Sequence, residues 1–265
     1  MTTLADPTAA ARRPSAGRLL AVTSGKGGVG KTFVCANVAA ALARRGERVL
    51  VLDADLGLAN LDVVLDLAPR VTLHDVLEGR HALDDALVDA PGGFTALLAG
   101  SGLVEYSRLT ADLRERLVEV VQALRPRYDR ILLDTGAGIS DVVLFTISLA
   151  DDVLLVATPE PTSLTDAYAT AKVLATTQQR RHLHLLVNQA AQAGDGARVC
   201  AQLQRVIARY VSPSLDRAVT LELVGEVPDD ASVRDAVLRR ELLLELFPGS
   251  PAARALAAAA AKMAR

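Results

Sequence analysis

The stretch Ser24-Gly25-Lys26-Gly27-Gly28-Val29-Gly30-Lys31-Thr32 holds residue types, at a spacing, that can do phosphate chemistry. It fits the pattern G-x-x-x-x-G-K-[ST], with Gly25 opening the loop and Gly30-Lys31-Thr32 closing it. Glycines at 25, 27, 28 and 30 let consecutive backbone N–H groups, that of Val29 included, turn inward on an anion without Cβ clashes. A helix starting directly after the loop adds its positive end to the same place. Lys31 is then positioned to reach β- and γ-phosphates, and the Thr32 hydroxyl to ligate Mg²⁺. The expected ligand is a nucleoside triphosphate with its magnesium ion. Lys26 is a second cation inside the loop, where a P-loop that works alone has no need of one and where it would crowd Lys31.

The elements that must position these groups are legible around them. Apolar residues 19–22 lead into the loop as a strand, and the Ala-rich residues 33–43 lead out as a helix. Residues 48–53 read as a buried parallel strand ending in Asp53, with Asp55 just beyond it. In open α/β sheets ligands sit beyond the carboxyl ends of strands, which puts both aspartates at the level of the phosphates. Residues 128–134 repeat the pattern, three large apolar side chains ending in Asp134, a Walker B signature suited to holding a Mg²⁺-bound water beside Thr32. The Thr135-Gly136-Ala137-Gly138-Ile139-Ser140 segment after it can respond to a γ-phosphate.

The remaining chain alternates in the same way. Short helices are expected at 72–77 and 82–88, a strand at 94–98, a turn near the active face at 99–102, and an amphipathic helix at 111–124. Strands follow at 152–158, 183–187 and 219–224, with capping chemistry after Glu160 at 162–166 and helices carrying Val199, Leu203, Val206 and Ile207, then residues 232–238, then a last helix from Ser250. Asn188, at a strand's carboxyl end, has an amide able to pair with adenine, and Pro228 offers a flat apolar wall. His182 and His184 alternate on one strand and read as sharing a face of the sheet rather than as a metal pair. About seven strand–helix units, with no internal repeat or linker, predict one doubly wound α/β domain over 18–265. Its sheet is mostly parallel, of seven to eight strands with helices on both faces: the P-loop NTPase fold.

Composition narrows the class. The 265 residues are 51% hydrophobic and 23% charged, with a net charge of −2, which argues against a dominant nucleic-acid surface. The two cysteines, Cys35 and Cys200, lie far apart without a C-x-x-C, so no disulfide framework, zinc site or Fe–S site is expected. No apolar run of about 18 residues is present, which points to the cytoplasm. Residues 1–17 read as a disordered leader without hydrophobic periodicity.

The run K-G-G-V-G-K-T resembles the deviant P-loop of the MinD/ParA ATPases, a resemblance that extends over residues 19–256. The blocks D-A-D-L-G-L-A-N-L-D (53–62), D-T-G-A-G-I-S (134–140), P-E-P-T-S-L-T-D-A-Y (159–168) and V-P-D-D-A-S-V-R (227–234) together resemble its flagellar-number branch, the FlhG type; the first is shared with the cell-division MinD branch, and the second and third look more like the flagellar proteins. The resemblance implies ATP and Mg²⁺ as ligands, a slow ATPase, and an ATP-dependent sandwich homodimer in which Lys26 reaches the partner's nucleotide. It implies that Asp53 supports the magnesium shell, that Asp55 orients the attacking water, and that Asn188 and Pro228 meet adenine with Glu160 near the partner's ribose. It also implies partners: an FlhF-type GTPase and a flagellar transcription activator. The D-Q-A-x-x-L-R motif through which some members activate that GTPase is absent from residues 1–17, which puts that activity in doubt.

Neither histidine nor glutamate occurs in the three phosphate-level motifs, so turnover should be slow, with Lys31, Lys26 and Mg²⁺ supplying most of the catalysis by charge neutralisation. Two rivals share the fold: a MinD-type division-site ATPase, and a ParA-type DNA carrier for which Arg180-Arg181 and Arg239-Arg240 are the paired basic candidates. In residues 251–265, Leu256 and Met263 fall opposite Arg254, Lys262 and Arg265. With an apolar face that is mostly alanine, this helix is expected to pack on the domain and to bind membrane weakly or not at all, leaving at most a peripheral place on the inner membrane face.

Overall fold

The structure is a computed structural model that describes residues 16–57, 59–100 and 110–264. Most of the expected leader, residues 1–15, lies outside the described residues, as do Ser101 and Gly102 of the expected turn. Eight strands form one sheet: β1 (Arg18–Ser24), β2 (Val49–Ala54), β3 (Leu87–Asp89), β4 (Thr95–Leu97), β5 (Arg130–Ala137), β6 (Asp152–Ala157), β7 (His182–Ala190) and β8 (Thr220–Pro228). Their spatial order is β3-β4-β2-β5-β1-β6-β7-β8, and every neighbouring pair is parallel except β3 with β4.

Both faces of this sheet are covered, so successive strand residues enter two different cores and the strands must be apolar throughout. On one side Leu19, Ala21, Leu50 and Leu133 pack with α3 (Leu73–Leu77), α4 (Ala111–Leu124), α5 (Asp141–Ser148), α6 (Pro161–Thr177) and α7 (Asp195–Tyr210). On the other, Leu20, Val22, Val51 and Leu132 pack with α1 (Lys31–Ala43), α2 (Leu61–Leu65), α8 (Ala231–Arg239), α9 (Leu243–Leu246) and α10 (Pro251–Met263). The doubly wound, mostly parallel sheet is therefore as expected.

Four elements differ from the sequence reading, the first being α5, for which no helix was expected between residue 140 and the strand at 152. The helix expected at 82–88 is a 3-10 turn at Leu83–Ala86, after which Leu87–Asp89 becomes the antiparallel edge strand β3. Its alternating pattern is too short to be told from a helical turn until β4 supplies a partner. Residues 61–65 form α2, hidden in sequence because Asn60 and Asp62 made the segment look like loop. Helix α9 was also missed. It is anchored by buried Asn37, whose Nδ2 donates to Phe33 O (2.9 Å) while its Oδ1 accepts from Leu244 N (3.1 Å).

Helix α10 explains its own composition. Gly225 on β8 approaches it so closely that a Cβ there would lie 2.8 Å from Ala259 Cβ. Alanines at 252, 253, 259 and 260 are buried, and Leu256 and Met263 are buried with them, as expected for a helix packed on the domain. Its start is tied in by Asp230, whose Oδ2 accepts from Ala252 N at 3.0 Å. The paired arginines are partly committed to structure as well. Arg180 donates to the carbonyls of Ile147 (3.2 Å) and Asp151 (3.0 Å) behind α5, Arg181 binds Asp216 (2.7 Å), and Arg240 binds Asp66 (3.2 Å). No helix among the described residues is long and apolar enough to cross a membrane.

Because Leu256 is fully buried, Leu256→Ala should lower unfolding free energy by about 2–5 kcal/mol. Urea denaturation checks this; a loss under about 1 kcal/mol would mean that α10 contributes little to the fold.

Candidate nucleotide site

The loop between β1 and α1 is shaped by close approaches that only glycine allows. A Cβ on Gly25 would stand 2.3 Å from the Asp166 carbonyl carbon, so the loop's entry lies directly against the backbone of α6. Gly30 caps α1 in the left-handed region (φ 84°), and a Cβ there would meet Asn188 Nδ2 at 2.5 Å. Gly28 has φ 81° as well. Gly27 and Val29 complete the turn, and Val29 is buried with the α1 core.

At the loop's exit three charged groups are buried together. Lys31 Nζ donates to Asp134 Oδ1 at 2.6 Å and lies 3.4 Å from Thr32 Oγ1. Asp134 is in register with Asp53 on β2 and with Val22 on β1, so β5 sets the two carboxylates side by side. Asp53 Oδ1 accepts from Asp55 N (3.1 Å) and Oδ2 from Leu61 N (3.3 Å), which folds the segment after β2 back over the strand end. Asp55 lies against the responsive segment after Asp134: an added Cβ on Gly136 would be 3.4 Å from Asp55 Oδ1. Gly138 N in turn donates to Ser24 O at 2.8 Å, tying that segment to the start of the loop. Lys31, Thr32, Asp53, Asp55 and Asp134, predicted from three separate motifs, are thus one constellation.

Electrostatics follow from the burial. Desolvation works against the Lys31 charge, but the adjoining Asp134 carboxylate outweighs it and leaves the ammonium above its ordinary range. The Asp53 carboxyl is pushed well above its usual range, first by burial and then by Asp134; the Asp55 and Leu61 N–H groups and Lys31 only partly oppose this. Cys35 sits beneath the cluster with its thiol pushed up by burial, a packed and unreactive residue rather than a ligand. The oxygens gathered around Lys31 are a hydroxyl and two carboxylates, hard donors that suit Mg²⁺. A dication would also offset the burial and the Asp134 repulsion that raise the Asp53 carboxyl.

The other predicted residues gather in two places. Asn188 and Pro228 line one cavity of about 140 Å³ with Gly30, Phe33, Asp229 and Val233. Asn188 is buried within β7 rather than ending it, and its Nδ2 donates to Val29 O at 2.8 Å, so part of its amide braces the loop. Lys26 and Glu160 meet within this one chain: Lys26 Nζ is 2.8 Å from Glu160 Oε2 and 3.0 Å from Thr162 Oγ1. The sequence reading gave Thr162 a capping role and Phe33 only a place in α1; that Thr162 meets Lys26 and that Phe33 borders the Asn188 cavity are relations between distant segments, which spacing along the chain does not reveal.

The Asp53 shift has a pH signature. In the unfolded chain this carboxyl ionises near pH 4, whereas the folded protein keeps its proton to higher pH, so between those values folding binds the extra proton and stability falls as pH rises. In nucleotide-free, chelator-treated protein, Asp53→Asn should therefore gain melting temperature over wild type as pH increases above about 4, and show no such gain below it. An advantage that does not change across that range would show that Asp53 titrates like an ordinary carboxylate.

Comparison with known proteins places this geometry. Residues 20–243 match the family described as the CobQ/CobB/MinD/ParA nucleotide binding domain. Over 246 residues the chain is 42% identical to the antiactivator FleN of Pseudomonas aeruginosa, covering 93% of this chain and 86% of that protein. It is 30% identical over 233 residues to the flagellum site-determining protein YlxH of Helicobacter pylori, covering 87% and 76%. Among solved structures, the septum site-determining protein MinD of Pyrococcus horikoshii, complexed with Mg-ADP, superposes with a TM-score of 0.74 at 27% identity, covering 93% and 96%. With its P-loop, paired strand-end carboxylates and sheet order in place, the chain belongs to the CobQ/CobB/MinD/ParA nucleotide-binding family.

Proposed function

We propose that this protein is an ATP-dependent monomer–dimer switch with slow ATPase activity that regulates flagellar number or placement through partner proteins. The observation that carries the reading is the division of labour between two loop lysines. Lys31 is buried against Asp134, where phosphates and magnesium belong. Lys26 points away, onto α6, and is held by an ion pair whose glutamate is 60% exposed. Exposed pairs of this kind are worth about 0–1 kcal/mol, so Lys26 can leave Glu160 at little cost when a second subunit's nucleotide is offered.

In this reading the loop N–H groups of residues 25–32 and Lys31 hold the phosphates of ATP, and Asn188 and Pro228 border the base. Thr32, Asp53 and Asp134 would hold Mg²⁺, which neutralises charge on the phosphate oxygens. Asp55 orients the water, and the contacts of Asp53 with Leu61 N and of Gly138 with Ser24 O make the segments at 54–62 and 135–140 sensitive to what binds between them. Glu160, freed from Lys26, is available to the partner subunit's ribose. The names of the Pseudomonas and Helicobacter relatives, an antiactivator and a flagellum site-determining protein, support an activator and the flagellar site as the downstream targets; we propose that the activator is a flagellar transcription activator and that an FlhF-type GTPase is the other partner. The large apolar side chains of α10 are already buried, which supports weak or no membrane binding. The intramolecular bonds of Arg180, Arg181 and Arg240 likewise favour this reading over a DNA carrier.

Two variants test the switch. Lys26→Ala should bind ATP almost as wild type yet remain monomeric by light scattering with ATP and Mg²⁺; a normal dimer would return Lys26 to the role of a surface lysine. Asp55→Ala should bind ATP and dimerise while losing on the order of 10²-fold in turnover, whereas wild-type hydrolysis would move the water-orienting role to another group.

A further inference from the structure

At the end of the sheet opposite the P-loop, the paired strands β7 and β8 form its edge, with His184 in register with Glu222 and His182 with Thr220. Side chains two apart on a strand share a face, so His182, His184 and Glu222 stand together. That face is the one α10 covers: His184 and Glu222 line a cavity of about 320 Å³ with Lys262 and Met263 of α10, Asp152 of β6, and Arg18 and Arg130. The cluster plays no part in the nucleotide site.

Its distances are those of a metal site. Glu222 Oε2 is 3.1 Å from His182 Nε2 and 3.2 Å from His184 Nδ1. Around a tetrahedral zinc ion with bonds of about 2.0–2.1 Å, neighbouring ligand atoms are about 3.3 Å apart, so two of the three edges already have that length. One ligand atom from each residue lies within 4.8 Å of the others, and the remaining edge, between the two imidazoles, can close by rotation of the half-exposed His182 ring. His184 Nδ1 is buried and makes no hydrogen bond, although Glu222 Oε2 lies 3.2 Å away. His182 Nδ1 is 3.3 Å from Thr220 Oγ1, an outer contact that turns Nε2 toward Glu222. The arginines bordering the cavity are engaged, Arg18 with Asp152 at 2.6 Å and Arg130 with Glu47 at 3.3 Å.

We propose that His182, His184 and Glu222 form a binding site for a divalent cation of the zinc class, with water completing the coordination. Two imidazole nitrogens and one carboxylate oxygen suit Zn²⁺, Co²⁺ or Ni²⁺ and disfavour Mg²⁺ and Ca²⁺. Bound there, the ion joins the two outermost strands at the level of the C-terminal turn of α10. The histidines share a face, as the sequence reading expected, but the proposal departs from that reading in making them ligands, because spacing along the chain could not supply the third one, which arrives from the neighbouring strand.

The test is a zinc titration of chelator-treated protein by calorimetry, in excess Mg²⁺ so that the carboxylates at the nucleotide site are occupied, with Co²⁺ absorption as the report on geometry. One Zn²⁺ per chain should bind with a dissociation constant below about 100 μM, and Co²⁺ should give the intense visible bands of a four- or five-coordinate site. His182→Gln, at a half-exposed position that leaves the core intact, and Glu222→Gln should each weaken binding by about tenfold or more. Weaker binding by wild type than about 100 μM, or equal affinity in wild type and both variants, would overturn the proposal.

Discussion

One lysine ammonium and two carboxylates are buried together where β2, β5 and α1 meet, and the other features of the site adjust to that fact. Taking such groups out of water costs several kcal/mol per ion, and Lys31 can compensate only one of its two neighbours. Asp134 takes the 2.6 Å contact, while Asp53 is left with two backbone N–H groups and a carboxyl pushed toward its neutral form. A cluster that buries two carboxyl groups for one cation is poor engineering for a static core. It is suited to a site that receives a dication and a polyphosphate, and we read its retention as functional.

The fold supplies what this cluster needs, which is rigid placement at a strand end beside a loop of free N–H groups. Parallel register fixes Asp53 beside Asp134, and burial of both sheet faces keeps the strands from slipping. Around this fixed point the less committed contacts are arranged: Asp53 with Leu61 N, Gly138 with Ser24 O, Lys26 with Glu160. The contrast between the two lysines is one of environment rather than of chemistry. Lys31 stands 8% exposed against a fully buried carboxylate, whereas Lys26 is paired at the surface, where water and salt weaken the bond. The buried lysine is therefore fixed in place and the exposed one is free to change partners.

Much of this was legible in the sequence, for identifiable reasons. Glycine spacing and the run of apolar residues before Asp53 and Asp134 are local signals, and both depend on backbone geometry that few other sequences satisfy. The amphipathic spacing of Leu117, Val121 and Leu124 likewise fixed α4 to its observed bounds. What escaped were features that exist only between distant segments. The strand β3 has three residues and no identity without β4; α9 depends on a buried asparagine in α1. The bracing of Val29 by Asn188, the pairing of Lys26 with Glu160 and the approach of Glu222 to two histidines join residues from about 38 to 159 positions apart. Periodicity carries no information about such meetings.

The central claim is that ATP, and not ADP, joins two copies of this chain through their nucleotide faces. Sedimentation velocity of the unmodified protein with Mg²⁺ and a slowly hydrolysed ATP analogue, set beside the same protein with Mg²⁺ and ADP, measures this directly. The account predicts a mass that doubles with the triphosphate and stays monomeric with the diphosphate. The same mass in both conditions, with binding of each nucleotide verified, would contradict it.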